Sequence, residues 1–401
     1  MTSPDRRAAT LAEIRNRKMA RSPHAYVRGN TKRFYQWLDA SPGQVPDGPA
    51  VWICGDCHLG NLGPLADAKD KVAVQIRDLD QTVVGNPALD LIRLGLSLAC
   101  AARGSDLPGV ATAHILEHLV TGYEEALAGD FDGELDKSHR PHRIQGILEQ
   151  SVHRRWRQLA RERFKDTRPG LPRGKRFWSL TAEERSGLGG LFGEERTRVM
   201  VTSLKCRDSD DPIEVVDAAY WVKGCSSLGR LRYAVLLRVG DHPRLCLIDV
   251  KEATTAVAPR LAGASMPRDN AARVVQGANL LSPNLGERMI ATRLAGTGVV
   301  LRELLPQDLK IEVEQLAPKE AMRIASYLAG VVGRAHGRQM DAATRRSWRA
   351  ELAKARVGGL DAPSWLWSSV VALVGDHEAA YLEHCRRFAL GSARHARPHA
   401  A

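Results

Sequence analysis

The stretch Cys54-Gly-Asp-Cys57-His58-Leu-Gly-Asn61 decides how this chain is read. Two patterns overlap in it. Cys-x-x-Cys-His is the spacing that attaches haem in c-type proteins. Gly-Asp-x-x-x-x-Asn is a spacing that sets a carboxylate and a metal-binding amide on one loop. The rest of the chain separates the two. Its first residues, "MTSPDRRAATLAEIRNRKMARSPHAY", are charged throughout and lack the apolar core of a secretory leader. No apolar run reaches the roughly eighteen residues that suit a membrane helix. A cytoplasmic protein without membrane association is therefore expected, in a compartment where haem is not attached and thiols stay reduced. The seven cysteines, at 54, 57, 100, 206, 225, 246 and 385, are odd in number and scattered, so no disulfide framework is expected. Zinc would need a second ligand pair; there is no other Cys-x-x-Cys, and "ARHARPHA" near the C-terminus offers only loosely spaced histidines. A thioredoxin-like redox pair is the remaining cysteine reading. Against all three, Cys54 and Cys57 read as small residues flanking a strand end.

The chain has 401 residues, 44% of them hydrophobic, enough for two or three domains or one two-lobed enzyme. Its net charge is +12. Much of the excess lies in 138–176, "SHRPHRIQGILEQSVHRRWRQLARERFKDTRPGLPRGKR". Such a run reads first as a solvated helical face, with a nucleic-acid site or a site for anionic phosphates as alternatives. No spaced aromatic series for stacking bases accompanies it; the eight tryptophans read as core or lobe-interface residues.

Outward from the loop, "VWICGD" (51–56) is a short apolar run that stops at Gly-Asp and reads as a buried strand. "KVAVQIRDLD" (71–80) alternates and reads as the next strand, with "LGPLADAKD" as the turn between them. Helices are expected over 7–20, 30–39 and 87–104, and over most of 107–200 with a break at 168–175. Residues 213–253 read as three or more antiparallel strands with turns at 224–229 and 240–243. A helix near 268–282, a strand near 298–304 and helices from about 318 follow. The class is α+β. The organisation is a helical part over 1–205, a β-rich part over 206–305 and a helical part over 306–401.

The chemistry lies in Asp56, Asn61 and Asp78. Asp56 follows one strand and opens the loop, Asn61 lies five residues on, and Asp78 ends the next strand. An amide oxygen and two carboxylates at one rim are hard ligands of the kind Mg²⁺ takes, with Asp80 a further candidate. Phosphoryl transfer needs little more than positioning, metal charge and a group to orient the attacking hydroxyl. "KGCSSLGR" puts Gly224, Ser226, Ser227 and Gly229 between two strands, a turn whose backbone N–H groups suit phosphates. Lys251, in "LIDVKEA" at a strand end, needs an anionic partner, and ATP phosphates would serve. His58 reads as a loop histidine bonded to backbone. Arg28 reads as facing phosphate or substrate, or as pairing with a carboxylate.

"GDCHLGN" followed by "IRDLDQ" resembles the catalytic loop and metal-binding segment of aminoglycoside phosphotransferases and other protein-kinase-like enzymes. "GNPALDLIRL" resembles the segment that follows in them. The whole chain also resembles an uncharacterised bacterial family, domain of unknown function 2252, through "SPHAYVRGN", "GDCHLGNLG", "DLDQ", "LDLIRL", "GCSSLGR", "VKEA", "RVVQGANLL" and "GRAHGR". The kinase resemblance implies that Asp56 orients or deprotonates the acceptor hydroxyl, and that Asn61 and Asp78 hold Mg²⁺. It implies that Lys251 contacts ATP phosphates, that 224–229 cover them, and that Asp90 anchors the catalytic loop. Adenine would meet the backbone near Arg302, Glu303 and Leu305. Two features depart from the pattern. Cys54 stands where those families carry His, and no helical glutamate is evident for Lys251; Gln276 and Glu287 are the nearest offers. The order departs further, because Asp56 precedes the glycine turn and the lysine. A circularly permuted kinase-like fold is implied, which requires residues 318–338 to pack beside 50–63. The expected function is ATP- and Mg²⁺-dependent phosphoryl transfer to a small hydroxylated molecule, since the segment after Asp80 is too short to dock a peptide. Nucleotidyl transfer, ATP-driven ligation and a non-catalytic nucleotide- or nucleic-acid-binding regulator are the alternatives.

Overall fold

The computed structural model of the chain describes residues 4–41, 45–129, 140–154, 170–204, 207–225, 227–240, 244–309, 311, 317–354 and 362–388. Ser226, parts of the basic segment 138–176 and the C-terminal "ARHARPHA" lie outside these residues. The architecture is α+β with antiparallel sheets.

Among the described residues ten strands form three sheets: β1 Val51–Ile53, β2 Leu62–Ala66, β3 Val72–Ile76, β4 Val83–Gly85, β5 Phe177–Trp178, β6 Ile213–Trp221, β7 Arg232–Val239, β8 Arg244–Glu252, β9 Met289–Leu294 and β10 Thr297–Leu304. The large sheet has the order β5-β6-β7-β8-β10-β9. Its β6–β7–β8 meander comes from the β-branched stretch over 213–253, as expected. β5 and β9 were not evident in the sequence, because Phe177–Trp178 is too short to show a period. One face of this sheet packs on Leu188, Leu191, Phe192, Met200 and Val201 of the helices Ala182–Gly193 and Glu195–Thr202, and on Leu11 of the N-terminal helix Pro4–Met19.

The second core is helical. Helix Ala88–Arg103 is buried from Ala88 to Ala102 and lies at its centre, against helices Gly109–Ala128 and Ser364–Phe388. Helix Pro318–Gly337 runs along Gly109–Ala128 at unusually close range. A Cβ on Gly122 would fall 2.2 Å from Ser326 O, and one on Gly333 would fall 2.8 Å from Tyr123 O, so glycine on each helix sets the approach.

The small sheets correct one expectation. The strand from 51 and the strand from 71 are not partners. β1 pairs with β4, Trp52 opposite Val84. The intervening "LGPLA" is itself strand β2, and pairs with β3, Leu62 opposite Ile76. The reading of "LGPLADAKD" as a turn fails for its first half, because Leu62–Ala66 holds both Gly and Pro and so hides as a strand. The requirement on 318–338 is met. Gln339, just past that helix, accepts from Trp52 N (2.7 Å) and donates to Trp52 O (3.1 Å), so it caps β1 from across the chain.

Candidate active site

The loop after β1 is held from four directions. Gly55 sits at φ +72, and a Cβ there would lie 2.2 Å from Gln81 O, so only glycine fits. Asp90, in the first turn of the central helix, accepts from Cys54 N (2.7 Å) and Gly55 N (2.9 Å). Tyr35 Oη donates to Gly55 O (2.6 Å). His336 Nε2 lies 3.2 Å from Asp90, its Nδ1 lies 3.0 Å from Tyr123 Oη, and Trp348 Nε1 donates to that hydroxyl (3.2 Å). A buried chain of hydrogen bonds thus runs from the C-terminal helices to the loop, and Asp90 anchors the loop as the resemblance implied. Cys54 and Cys57 are free, buried thiols in the same core.

Asp56 emerges from this clamp. Its Oδ1 accepts from Arg93 Nε (2.9 Å), one turn beyond Asp90 on the central helix. Burial raises the Asp56 carboxyl above the ordinary range, with Arg93 opposing. Asn61 faces it: Nδ2 donates to Asp78 O (2.7 Å) and to Asp56 O (3.3 Å), and its amide oxygen takes no part in these bonds. The β2–β3 register brings Asn61 and Asp78 together, because Arg77 N continues the ladder to Asn61 O (2.8 Å). His58 departs from its reading. Its Nδ1 is buried without a partner, and Nε2 stands 4.0 Å from Asp56 Oδ2.

The large sheet supplies the other wall. Lys251 Nζ lies 3.2 Å from both Asp78 oxygens and also pairs with Asp80. Burial works to raise Asp78, but Lys251, Arg302 and Arg232 outweigh it and hold its carboxyl below the ordinary range. Asp80 moves the other way, raised by burial and by the Asp78 charge beside it. The two residues nearest to offering Lys251 a partner are engaged elsewhere. Gln276 lines a separate cavity, and Glu287 accepts from Ala68 N (3.3 Å). The helix of Gln276, Asn270–Leu281, instead delivers buried Arg273 to the backbone of Asp80 (3.0 Å), Thr82 and Thr254 (2.8 Å). Gly224 (φ +92) and Gly229 (φ +103) take the left-handed backbone that the turn between β6 and β7 needs.

Asp56, Asn61, Asp78, Asp80, Gly224 and Ser227 line one cleft of about 420 Å³, and Lys251 lines a small cavity that adjoins it at Asp78, Asp80 and Arg302. The residues near the end of β10 are a correction. Glu303 and Leu305 are each 2% exposed and do not line it. Arg207 grips the Glu303 carboxylate at 2.7 and 2.8 Å, Arg288 Nη1 donates to Glu303 O (2.9 Å), and Leu305 N donates to Asp308 Oδ2 (3.3 Å). Their polar groups are already satisfied by the protein. Arg302 does reach the cleft, through a guanidinium that donates to Arg77 O (2.9 Å) and Asp249 Oδ2 (3.3 Å). Asp249 escaped the sequence reading. It is 1% exposed, and takes Arg232 at 2.9 and 2.5 Å. Its signal was available as a charge inside the apolar run "LCLIDV", which must be paired if buried.

Among the described residues no three His, Cys, Asp or Glu side chains converge as a metal cluster, and no helix is long and apolar enough to cross a membrane. No curated protein and no solved structure matches the chain. Residues 7–387, which include every site residue above, match the model for uncharacterized proteins conserved in bacteria, so the chain belongs to the family of domain of unknown function 2252.

Proposed function

We propose that this protein transfers the γ-phosphoryl group of ATP to a hydroxyl of a small molecule, on a permuted, kinase-like two-lobed fold. One observation carries the reading. Lys251, on the third strand of a meander whose first turn holds Gly224 and Gly229, pairs with Asp78 and Asp80, which line the cleft beside the Asp56–Asn61 loop. A glycine turn over phosphates, a strand lysine, a catalytic aspartate and an Asn–Asp metal pair are the working parts of kinase-type phosphoryl transfer. The packing of Gln339 on Trp52 and of His336 on Asp90 supports the permutation, since it joins the late helix to the early loop.

The donor set fits a hard divalent cation: Asn61, Asp78 and Asp80 offer one amide oxygen and two carboxylates to one cleft. Mg²⁺ held by them would neutralise charge on the transferring phosphate. Lys251 presents its ammonium to the same carboxylates and is positioned to bind phosphate oxygens when they arrive. Asp56 accepts the acceptor's hydroxyl proton as the new O–P bond forms and the β,γ-bridging P–O bond breaks, leaving ADP. Arg93 fixes the carboxylate so that one oxygen remains for that task. A small acceptor is favoured because the chain passes from Asp80 through β4 directly into the buried helix at Ala88.

The test is ATP turnover with Mg²⁺ across a library of hydroxylated metabolites, wild type beside Asp78→Ala. Acceptor-dependent ADP formation that Asp78→Ala abolishes supports the reading. AMP as product replaces it with nucleotidyl transfer or ligation, and absence of nucleotide binding overturns it.

A further inference from the structure

The N-terminal helices build one wall of the same cleft, and that wall is cationic. Lys18 of helix Pro4–Met19, Arg21 of the following turn and Arg28 of helix Pro23–Gly29 all line it. Among the described residues none of the three has a carboxylate partner. Lys18 Nζ donates to Gly224 O (2.9 Å), which places it at the glycine turn. Arg28 lies against the loop itself: a Cβ on Gly60 would fall 2.7 Å from its Cζ, so the loop glycine makes room for the guanidinium. Gly60 adjoins Asn61, where an acceptor hydroxyl must approach Asp56.

The positive field is not balanced locally. Burial, then Arg28 and Arg93, holds His24 down to about 4, and burial with the same two arginines keeps His58 well below its ordinary range. Across the cleft, Asp249 takes Lys223 (3.9 Å), Arg232 (2.5 Å) and Arg302 (3.3 Å). The sheet side therefore already carries cations for a nucleotide triphosphate. The N-terminal ones are additional, and unpaired cations grouped in a partly enclosed cleft call for an anionic ligand.

We infer that this wall is a phosphate subsite and that the acceptor is itself a phosphorylated small molecule, bound by Arg28 with Arg21 and Lys18. The acceptor assignment rests on the phosphotransferase reading; the subsite does not. The probe is inorganic phosphate, titrated by calorimetry into the full-length protein saturated with Mg²⁺ and a non-hydrolysable ATP analogue. Phosphate is expected to bind alongside the analogue. Arg28→Ala should weaken it about tenfold to hundredfold, as loss of a charged hydrogen bond does, and leave analogue affinity within about twofold. Arg21→Ala, in a surface turn, gives the same direction if Arg28→Ala lowers the thermal midpoint. Phosphate that competes with the analogue, or a variant that weakens both equally, overturns the subsite and assigns these cations to the nucleotide. Arg28-dependent phosphate binding without any analogue binding keeps the subsite and overturns the nucleotide reading instead. Turnover of an unphosphorylated acceptor in preference to its phosphorylated counterpart overturns the acceptor class.

Discussion

At the scale of single residues the proposed chemistry turns on the carboxylate of Asp56. Asp56 is pulled in opposite directions by burial and by Arg93, with burial ahead. A base works in its ionised form, so turnover should fall on acidification, with the midpoint above the ordinary aspartate value of about 3.9. A pH profile of kcat/KM measures this; an acid limb at or below that value would show that another group titrates. Asp56→Ala should lower turnover about 10²–10⁴-fold while nucleotide binding persists, and wild-type rates in that variant would remove Asp56 from the chemistry. Asp90 is a positioning residue of a different kind. Asp90→Ala leaves Cys54 N and Gly55 N without their acceptor, and each buried orphan costs about 1–3 kcal/mol. The expected readout is a lower thermal midpoint together with lost turnover.

At the scale of elements the closest approach in the helical core belongs to Gly109–Ala128 and Pro318–Gly337. The prediction contrasts two glycines. Gly122→Ala forces a Cβ to within 2.2 Å of Ser326 O, backbone that cannot swing aside, and should destabilise by about 1–3 kcal/mol. Gly146→Ala, on the exposed face of helix His142–His153 with nothing within 4 Å, should stabilise by about 0.5–1 kcal/mol through the better helix propensity of alanine. Chemical denaturation of both variants measures the pair. Equal effects would mean that the two helices do not meet at Gly122. Because Pro318–Gly337 also carries His336, the Gly122 change should disturb the Asp56 loop as well as the core.

At the scale of the whole molecule the cleft joins the two cores. Lys251 on the large sheet meets the Asp78–Asp80 pair beside the helical core at the cleft's edge. A ligand that binds both walls stabilises the folded chain by mass action, about 2.7 kcal/mol at a hundredfold excess over Kd. Mg²⁺ with ATP should therefore raise the thermal midpoint of the wild type. Lys251→Met should reduce that rise, since on the proposed reading Lys251 is the cation that binds phosphate. An unchanged rise in the variant would place the nucleotide elsewhere. The N-terminal segment also meets the helix Ser364–Phe388: Arg33 of helix Thr31–Ala40 pairs with Asp376 through two bonds, and Tyr381 Oη donates to Ala20 O (3.2 Å).

The sequence by itself determined the elements whose signal is local. The long periodic helices, the β-branched meander over 213–253 and the turn glycines at 224 and 229 were all legible, because period and glycine punctuation are written in adjacent residues. So were Asp56, Asn61, Asp78 and Lys251 as polar residues at strand ends. Only the tertiary structure decided who meets whom. It paired β1 with β4 and not with β3, a matter of register across the chain. It gave Lys251 two aspartates as partners where a helical residue was expected, and it closed the backbone near Glu303 and Leu305 with Arg207, Arg288 and Asp308. It also brought Arg28 to Gly60 and Arg93 to Asp56. The physical reason is common to all of these. A buried charge must find a counter-charge or a backbone group somewhere in space, and a sequence states the need without stating the neighbour.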